Sequence, residues 1–295
     1  MDALIKEHPD QAAVRTHMGR LLVVQGDRAG ARREFDRAIQ LDAGSTEALE
    51  GRVRLDLADK TPSRARAVLG PALQKSPNQP ALLFLLASTY AAEGNAKDEE
   101  AALRKIIELD ARNIQGYISL AGLYVRQGKL DQARAEYEAM LTRQPRDFVA
   151  QTMVGIILET QGRADEAQKA YEQAVASAPR AAVAANNLAW LYAERGGNLD
   201  TALQLAQSAR QQIQGSASVD DTLGWVYLKK GMAASAIPPL ESAVKIDPAN
   251  ATYRYHLGLA YAKSGDKVKA DDAFAEAIKR KPGFRDAEEA RRALN

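Results

Sequence analysis

Residues 114–147 read IQGYISLAGLYVRQGKLDQARAEYEAMLTRQPRD, a stretch of 34 residues. Counted within it, apolar or small side chains stand at positions 4, 7, 8 and 11 (Tyr117, Leu120, Ala121, Tyr124) and again at 20, 24 and 27 (Ala133, Tyr137, Met140). Spacing of i, i+3, i+4, i+7 lines one face of a helix. Gly128 at position 15 and Pro145 at position 32 punctuate the two sets, because glycine lets the chain leave a helix with positive φ and proline cannot continue one. The spacing predicts two antiparallel helices. One such pair leaves apolar surface open on both sides, so it needs neighbours of its own kind.

Projected outward, the same frame repeats. Units begin at Ala12, Thr46, Pro80, Ile114, Phe148, Ala182, Ala217 and Ala251, eight in all, and only the unit from Ala182 needs one extra residue, in the turn Gly196-Gly197-Asn198. Position 15 is glycine in seven of them (Gly26, Gly94, Gly128, Gly162, Gly196, Gly231, Gly265). Position 20 is mostly alanine (Ala31, Ala65, Ala133, Ala167, Ala202, Ala236, Ala270), as a close helix crossing requires, and proline recurs at position 32 (Pro77, Pro145, Pro179, Pro248, Pro282).

This pattern resembles the tetratricopeptide repeat (TPR), whose consensus has a large residue at 4, Leu at 7, Gly or Ala at 8, Tyr at 11, Ala at 20, an aromatic at 24, Ala at 27 and Pro at 32. Residues 114–147 and 251–284 match nearly throughout, the latter with Leu257, Gly258, Tyr261, Ala270, Phe274, Ala277 and Pro282. The resemblance covers essentially the whole chain. It implies an all-α fold, a right-handed TPR superhelix (α-solenoid) of about eight helix-turn-helix repeats, with the first helix of each pair lining a concave groove that binds peptides or proteins.

Departures from the frame carry the remaining information. Extrapolated backwards, the frame puts Met1, Leu4 and Pro9 at positions 24, 27 and 32 of an earlier repeat, so residues 1–11 read as the end of a truncated repeat or as an abbreviated cap. In the second repeat Arg52 replaces Leu at position 7, Asp56 replaces Tyr at position 11, and the turn is Lys60-Thr61-Pro62. A rotated or shortened first helix explains this, and a polar contact surface of Arg52, Arg54 and Asp56 is the alternative. In the third repeat Glu99 occupies the crowded position 20 and needs a partner, or a slight turn of its helix, to offset burial of a carboxylate; this joint is expected to be the weakest. Residues 284–295, FRDAEEARRALN, read as an amphipathic capping helix that packs through Phe284, Ala287 and Leu294.

Composition narrows the chemistry. Forty basic residues against 38 acidic leave a formal charge of +2 with the signs interspersed, whereas a nucleic-acid binder shows a basic stripe or a larger excess. No cysteine is present, which excludes disulfides, thiolate zinc sites and a cysteine nucleophile. The longest apolar run, residues 81–87, is far shorter than the roughly 20 residues of a membrane span. His8, His17 and His256 are too dispersed for a shared metal site, and no Walker-type, H-E-x-x-H, G-x-S-x-G or G-x-G-x-x-G motif occurs. Adjacent acids such as Asp220-Asp221 point about 100° apart on a helix and do not converge on one atom. The reading is a non-enzymatic chain that uses no metal or cofactor.

A binding role directs attention to the groove face of the first helices, positions 2, 5, 6, 9, 12 and 13. Repeats three to five present Phe84, Ser88, Ile118, Gly122, Thr152 and Ile156 there, which do not reproduce the Lys/Asn/Arg clamp by which some TPR proteins hold a peptide C-terminus. The last three repeats differ. Position 9 holds Trp190, Trp225 and then Leu259, position 5 Asn186, Asp221 and Tyr255, and position 6 Asn187, Thr222 and His256. Rigid aromatics beside polar groups suit a recognition surface; filling gaps between helices is the alternative reading.

The phrases NNLAWLYAERGGNLDTALQLA, DTLGWVYLKKG and YRYHLGLAYAKSGDKVKA are also similar to the C-terminal part of bacterial TPR proteins of exopolysaccharide export and PEP-CTERM/exosortase sorting. That similarity spans about residues 186–294 and implies a periplasmic or envelope-associated scaffold; a cytoplasmic location is the alternative, and no lipobox is present. The expected partner is a protein or peptide, without nucleic acid and without membrane insertion by this segment, and homo-oligomers are compatible with it. A structural spacer or self-assembling solenoid, and an accessory domain of a larger enzyme, stand as the other readings.

Overall fold

The computed structural model describes residues 10–294. The truncated repeat expected at residues 1–11 lies almost wholly outside them, as does His8. Every regular element among the described residues is a helix, and the helices come in antiparallel pairs. In chain order they are α1 (Ala12–Val24), α2 (Arg28–Leu41), α3 (Thr46–Ala58), α4 (Pro62–Lys75), α5 (Pro80–Glu93), α6 (Ala96–Leu109), α7 (Ile114–Arg126) and α8 (Leu130–Arg143). They continue with α9 (Phe148–Thr160), α10 (Ala164–Ser177), α11 (Ala182–Arg195), α12 (Leu199–Gln212), α13 (Ala217–Lys229), α14 (Ala233–Ile246), α15 (Ala251–Ser264), α16 (Lys267–Arg280) and α17 (Ala287–Leu294). The architecture is an α-solenoid of helix-turn-helix repeats. The chain divides into two compact units, residues 1–136 and 137–295.

Local chemistry sets the helix ends. All seven glycines at position 15 adopt positive φ between the paired helices, from 70° at Gly196 to 92° at Gly265, the left-handed conformation that glycine enters without steric penalty. In the second repeat Lys60 stands at this position with φ 58°. Several helices start on an Asp or Asn whose side chain accepts a backbone N–H of the first turn, as Asn198 does from Asp200 and Thr201 at 3.0 Å each.

Packing within a pair follows a size rule. The alanines at position 20 are essentially inaccessible. Glycine at position 8 meets the large residue at position 24: a Cβ on Gly19, Gly155 or Gly258 would stand 2.6, 2.4 or 2.6 Å from the rings of Phe35, Tyr171 and Phe274 respectively. Such an approach excludes any side chain unless the ring moves, so these glycines serve proximity.

In the first unit the core joins Leu49, Val53, Leu69 and Leu82, with Phe35, Ala31 and Leu55 in a smaller group. The second repeat shows no shortened helix, since α3 is 13 residues long. Arg52 and Asp56 are buried rather than displayed, which argues against the alternative reading that they join Arg54 in a polar contact surface. Their side chains pair with each other along the helix, Arg52 Nε also donates to Asp36 at 2.6 Å, and Arg32 lies 3.5 Å from Asp56. An ion pair thus stands where five of the other seven repeats carry Leu and Tyr and the first and fifth carry other apolar residues. Arg54 is exposed and pairs with Glu50 at 2.6 Å. Glu99 is buried and accepts a hydrogen bond from Arg126; it has found the partner its position demanded.

In the second unit a large core spans α11 to α17, with Leu223, Val226, Leu240, Tyr261 and Phe274 among its members. The last helix packs through Phe284, Ala287 and Ala290. Leu294, expected in that contact, is exposed although it stands four residues past Ala290 on the same face: it is the last residue of the helix.

Candidate functional site

The residues singled out by the sequence fall on three successive first helices, α11, α13 and α15, and their side chains meet. Trp190 stacks on Trp225 with ring centroids 5.8 Å apart and planes inclined by 27°. Trp225 in turn stacks on His256 at 4.3 Å, and Trp190 reaches the same imidazole at 5.9 Å. Aromatic stacking of this kind adds to the area already buried.

Polar partners fix the stack. Trp225 Nε1 donates to Glu194 at 2.8 Å, while the Lys229 ammonium lies 3.5 Å from that carboxylate and 4.6 Å from the centre of the Trp225 ring. His256 is fully buried and its Nδ1 lies within hydrogen-bond distance of Asp221 Oδ1, at 2.8 Å. Its Nε2 is enclosed without a partner. Tyr255 donates its hydroxyl proton to Glu289 at 2.6 Å, and burial, then that carboxylate, pushes its ionisation well above the ordinary range. Thr222 donates to the backbone of Ser218 at 2.9 Å, Asn186 to Asn187 at 3.3 Å and Asn187 to the Tyr171 hydroxyl at 3.2 Å.

This geometry changes the role of the set. Asn186, Asp221, Thr222, Trp225, Tyr255 and His256 are buried, Trp225 with 9% of its surface open. Only Asn187 and Trp190 keep part of their surface accessible. The Trp190–Trp225–His256 stack and the Trp225–Glu194 and His256–Asp221 contacts join repeats six to eight, and little surface of these six side chains is open. Among the described residues no cluster of three metal-ligating side chains occurs, and no helix is long and apolar enough to cross a membrane.

Open surface of the right kind lies one repeat earlier. A pocket of about 390 Å³ between α9 and α11 is lined by Phe148, Val149, Met153, Ile156 and Val183. Val149 and Val183 are 39% and 48% exposed, and the Arg180 guanidinium covers the Phe148 ring at 5.3 Å. Val149, Val183, Met153 and Ile156 stand at groove positions 2, 6 and 9, and Phe148 at position 1 falls outside the positions singled out; single apolar residues there carry no signal as conspicuous as a tryptophan. In the first unit a second pocket, about 500 Å³, opens over Phe35 and Gly51. Its rim consists of the ion pairs Arg20–Glu47 at 3.2 Å and Arg54–Glu50 at 2.6 Å.

Fold and site geometry together define a helical-repeat protein. Tetratricopeptide-repeat models match residues 48–114, 118–167 and 152–217, a TPR-repeat model matches 224–265 and a further tetratricopeptide-repeat model 251–284. The chain belongs to the tetratricopeptide repeat family. No curated protein gives a significant match. Among solved structures, the chain is similar to one in the APC/C hetero-tetramer Cut9-Hcn1 (TM-score 0.63, 15% identity, 93% of this chain and 55% of that one). It thus spans about half the length of that relative. It is also similar to YrrB, a TPR protein with an unusual peptide-binding site (TM-score 0.54, 22% identity, 65% of this chain and 99% of that one). A third is a tetratricopeptide repeat protein from Parabacteroides merdae (TM-score 0.53, 18% identity, 85% and 97%).

Proposed function

We propose that the chain is a non-enzymatic protein-interaction scaffold that takes a protein or peptide segment on the first-helix face of its repeats. The observation that carries this reading is the apolar pocket of Phe148, Val149, Met153, Ile156 and Val183, open to solvent on that face. Exposed apolar area of this shape gains free energy when covered. In the next repeat Asn187 and Trp190 occupy positions 6 and 9, held by Met153 and Ile156 in the pocket, so the accessible part of the tryptophan extends the same row. Peptide binding by YrrB is a precedent within the fold. The likeness of residues 186–294 to envelope TPR proteins supports placing the scaffold in a bacterial envelope or exopolysaccharide assembly; fractionation of cells for the native chain tests that placement, and recovery only with cytoplasmic proteins removes it.

The test of binding is selection from a displayed peptide library. Peptides enriched on the wild type should lose at least about tenfold in affinity on Val149→Asp/Val183→Asp, a loss of roughly 1.4 kcal/mol. Melting should be nearly unchanged, because both side chains are exposed. Selection that enriches nothing, joined with concentration-dependent self-association in sedimentation, would favour the self-assembling spacer.

A further inference from the structure

The other side of the seventh repeat holds a second, polar site. Position 4, a large residue in the repeat pattern, is Asp220 here, and position 32 of the preceding repeat is Gln214 in place of proline. The Asp220 side chain is only 8% exposed. Its Oδ1 accepts from Arg210 Nε at 2.7 Å and its Oδ2 from the Ser242 hydroxyl at 2.5 Å. With a short side chain where the frame has a long one, a pocket of about 660 Å³ opens among α12, α13 and α14. Gln207, Arg210, Gln211, Gln214 and Tyr227 line it over Leu223.

The hydrogen-bond inventory of this pocket is one-sided. Asp220 is the carboxylate of the lining, and both its oxygens are already engaged. Arg210 spends Nε on it and is otherwise 47% exposed, which leaves the Nη1/Nη2 edge of a fixed, permanently charged fork for something else. Tyr227 Oη accepts from Gln207 Nε2 at 3.1 Å, so its own proton remains to be donated. Two parallel N–H groups beside a hydroxyl donor match the two oxygens of a carboxylate.

We propose that this pocket binds a carboxylate, gripped by the Arg210 fork and by the Tyr227 hydroxyl, with Asp220 and Ser242 as the residues that hold Arg210 in position. The source is an acidic side chain of a polypeptide or a small carboxylic acid. The site is built from second helices and the inner side of α13, apart from the apolar pocket between α9 and α11, so a failed selection there leaves it standing.

Titration of isotope-labelled full-length chain tests it, with NMR signals of the Arg210 side chain and of residues 211–215 as the readout. Acetyl-Ala-Glu-Ala-amide and acetate are the two probes, and acetyl-Ala-Gln-Ala-amide is the control. Saturable shifts with a carboxylate probe and none with the control are expected. Saturation by the peptide at about tenfold lower concentration than acetate assigns the site to a polypeptide side chain, and equal saturation to a small acid. Arg210→Lys keeps the ion pair with Asp220 but loses the fork, so affinity should fall about tenfold with melting unchanged. Tyr227→Phe should lower affinity by a smaller factor. Absence of saturable shifts at Arg210, equal shifts with the glutamine control, or undiminished affinity in Arg210→Lys would overturn the assignment.

Discussion

Trp225 and Trp190 share a repeat position and differ in environment. Trp225 is enclosed by Trp190, His256 and Lys229 and hydrogen-bonded to Glu194. Replacing it by alanine should lower unfolding free energy by about 3–5 kcal/mol, as for truncation of a buried aromatic. Trp190→Ala should be milder, because part of that ring is already in water; denaturant titration of both variants ranks them, and equal losses would contradict the packing described. The sequence read the eight candidate residues as one face of the first helices α11, α13 and α15. It could not show how far each following repeat covers that face, since periodicity reports direction and not overlap: His256, one repeat on, is what covers Trp225. A second prediction concerns Lys60, at the position where seven other repeats have glycine, with φ 58°. A side chain in the left-handed region costs roughly 1–2 kcal/mol, part of which glycine's greater freedom in the unfolded chain offsets. Lys60→Gly should therefore raise the denaturant midpoint, by about 1 kcal/mol of stability, whereas Lys60→Ala should not.

At the scale of elements, the helix pairs were legible because their punctuation is chemical. Glycine at 15, alanine at 20 and proline at 32 each report a steric demand that few other residues meet, and the first helices begin at Ala12, Thr46, Pro80 and onward at the first position of each unit. What the frame could not show was the pairing of its exceptions. Arg52 and Asp56 read singly as misplaced polar residues; four apart on α3, they neutralise each other inside the first unit. A buried ion pair recovers little beyond its desolvation, and replacement by apolar residues that fit is often neutral or stabilising. Arg52→Leu/Asp56→Tyr, which restores the repeat pattern, should thus be neutral or stabilising by about 1–4 kcal/mol, while Asp56→Ala alone should destabilise, by up to about 3 kcal/mol, because it leaves the buried Arg52 charge with the half-exposed Asp36 as its remaining partner. Chemical denaturation of the double and single variants decides this; similar losses in both would mean that the ion pair is a net source of stability.

For the whole molecule, a repeat protein is stabilised by each repeat and by its joints with its neighbours, so protection need not be uniform along the chain. The two units differ in how apolar burial is distributed. In the second, one continuous core runs from α11 to α17 and includes the aromatic stack. Over the first helices of the other unit, burial is divided between the group around Leu49 and Leu69 and the small group at Phe35, with the Arg52–Asp56 ion pair beside them, while Leu103, Ile106, Leu120 and Tyr124 are buried farther along. Amides of α13, α14 and α15 should therefore exchange only through the largest openings, and those of α1 and α2 through smaller, less costly ones. Native-state hydrogen exchange at rising denaturant would show two classes, with α1 and α2 merging last, if at all, into the global unfolding isotherm. The ordering rests on the continuity of the core and not on helix propensity, since the paired helices are of similar length, 13 or 14 residues, in both units. Trp225→Ala should then reduce protection in α11 to α15 while leaving α1 and α2 unchanged, because the side chain it removes belongs to the second core alone. Protection lost equally from both sets would mean that the chain unfolds as one cooperative body.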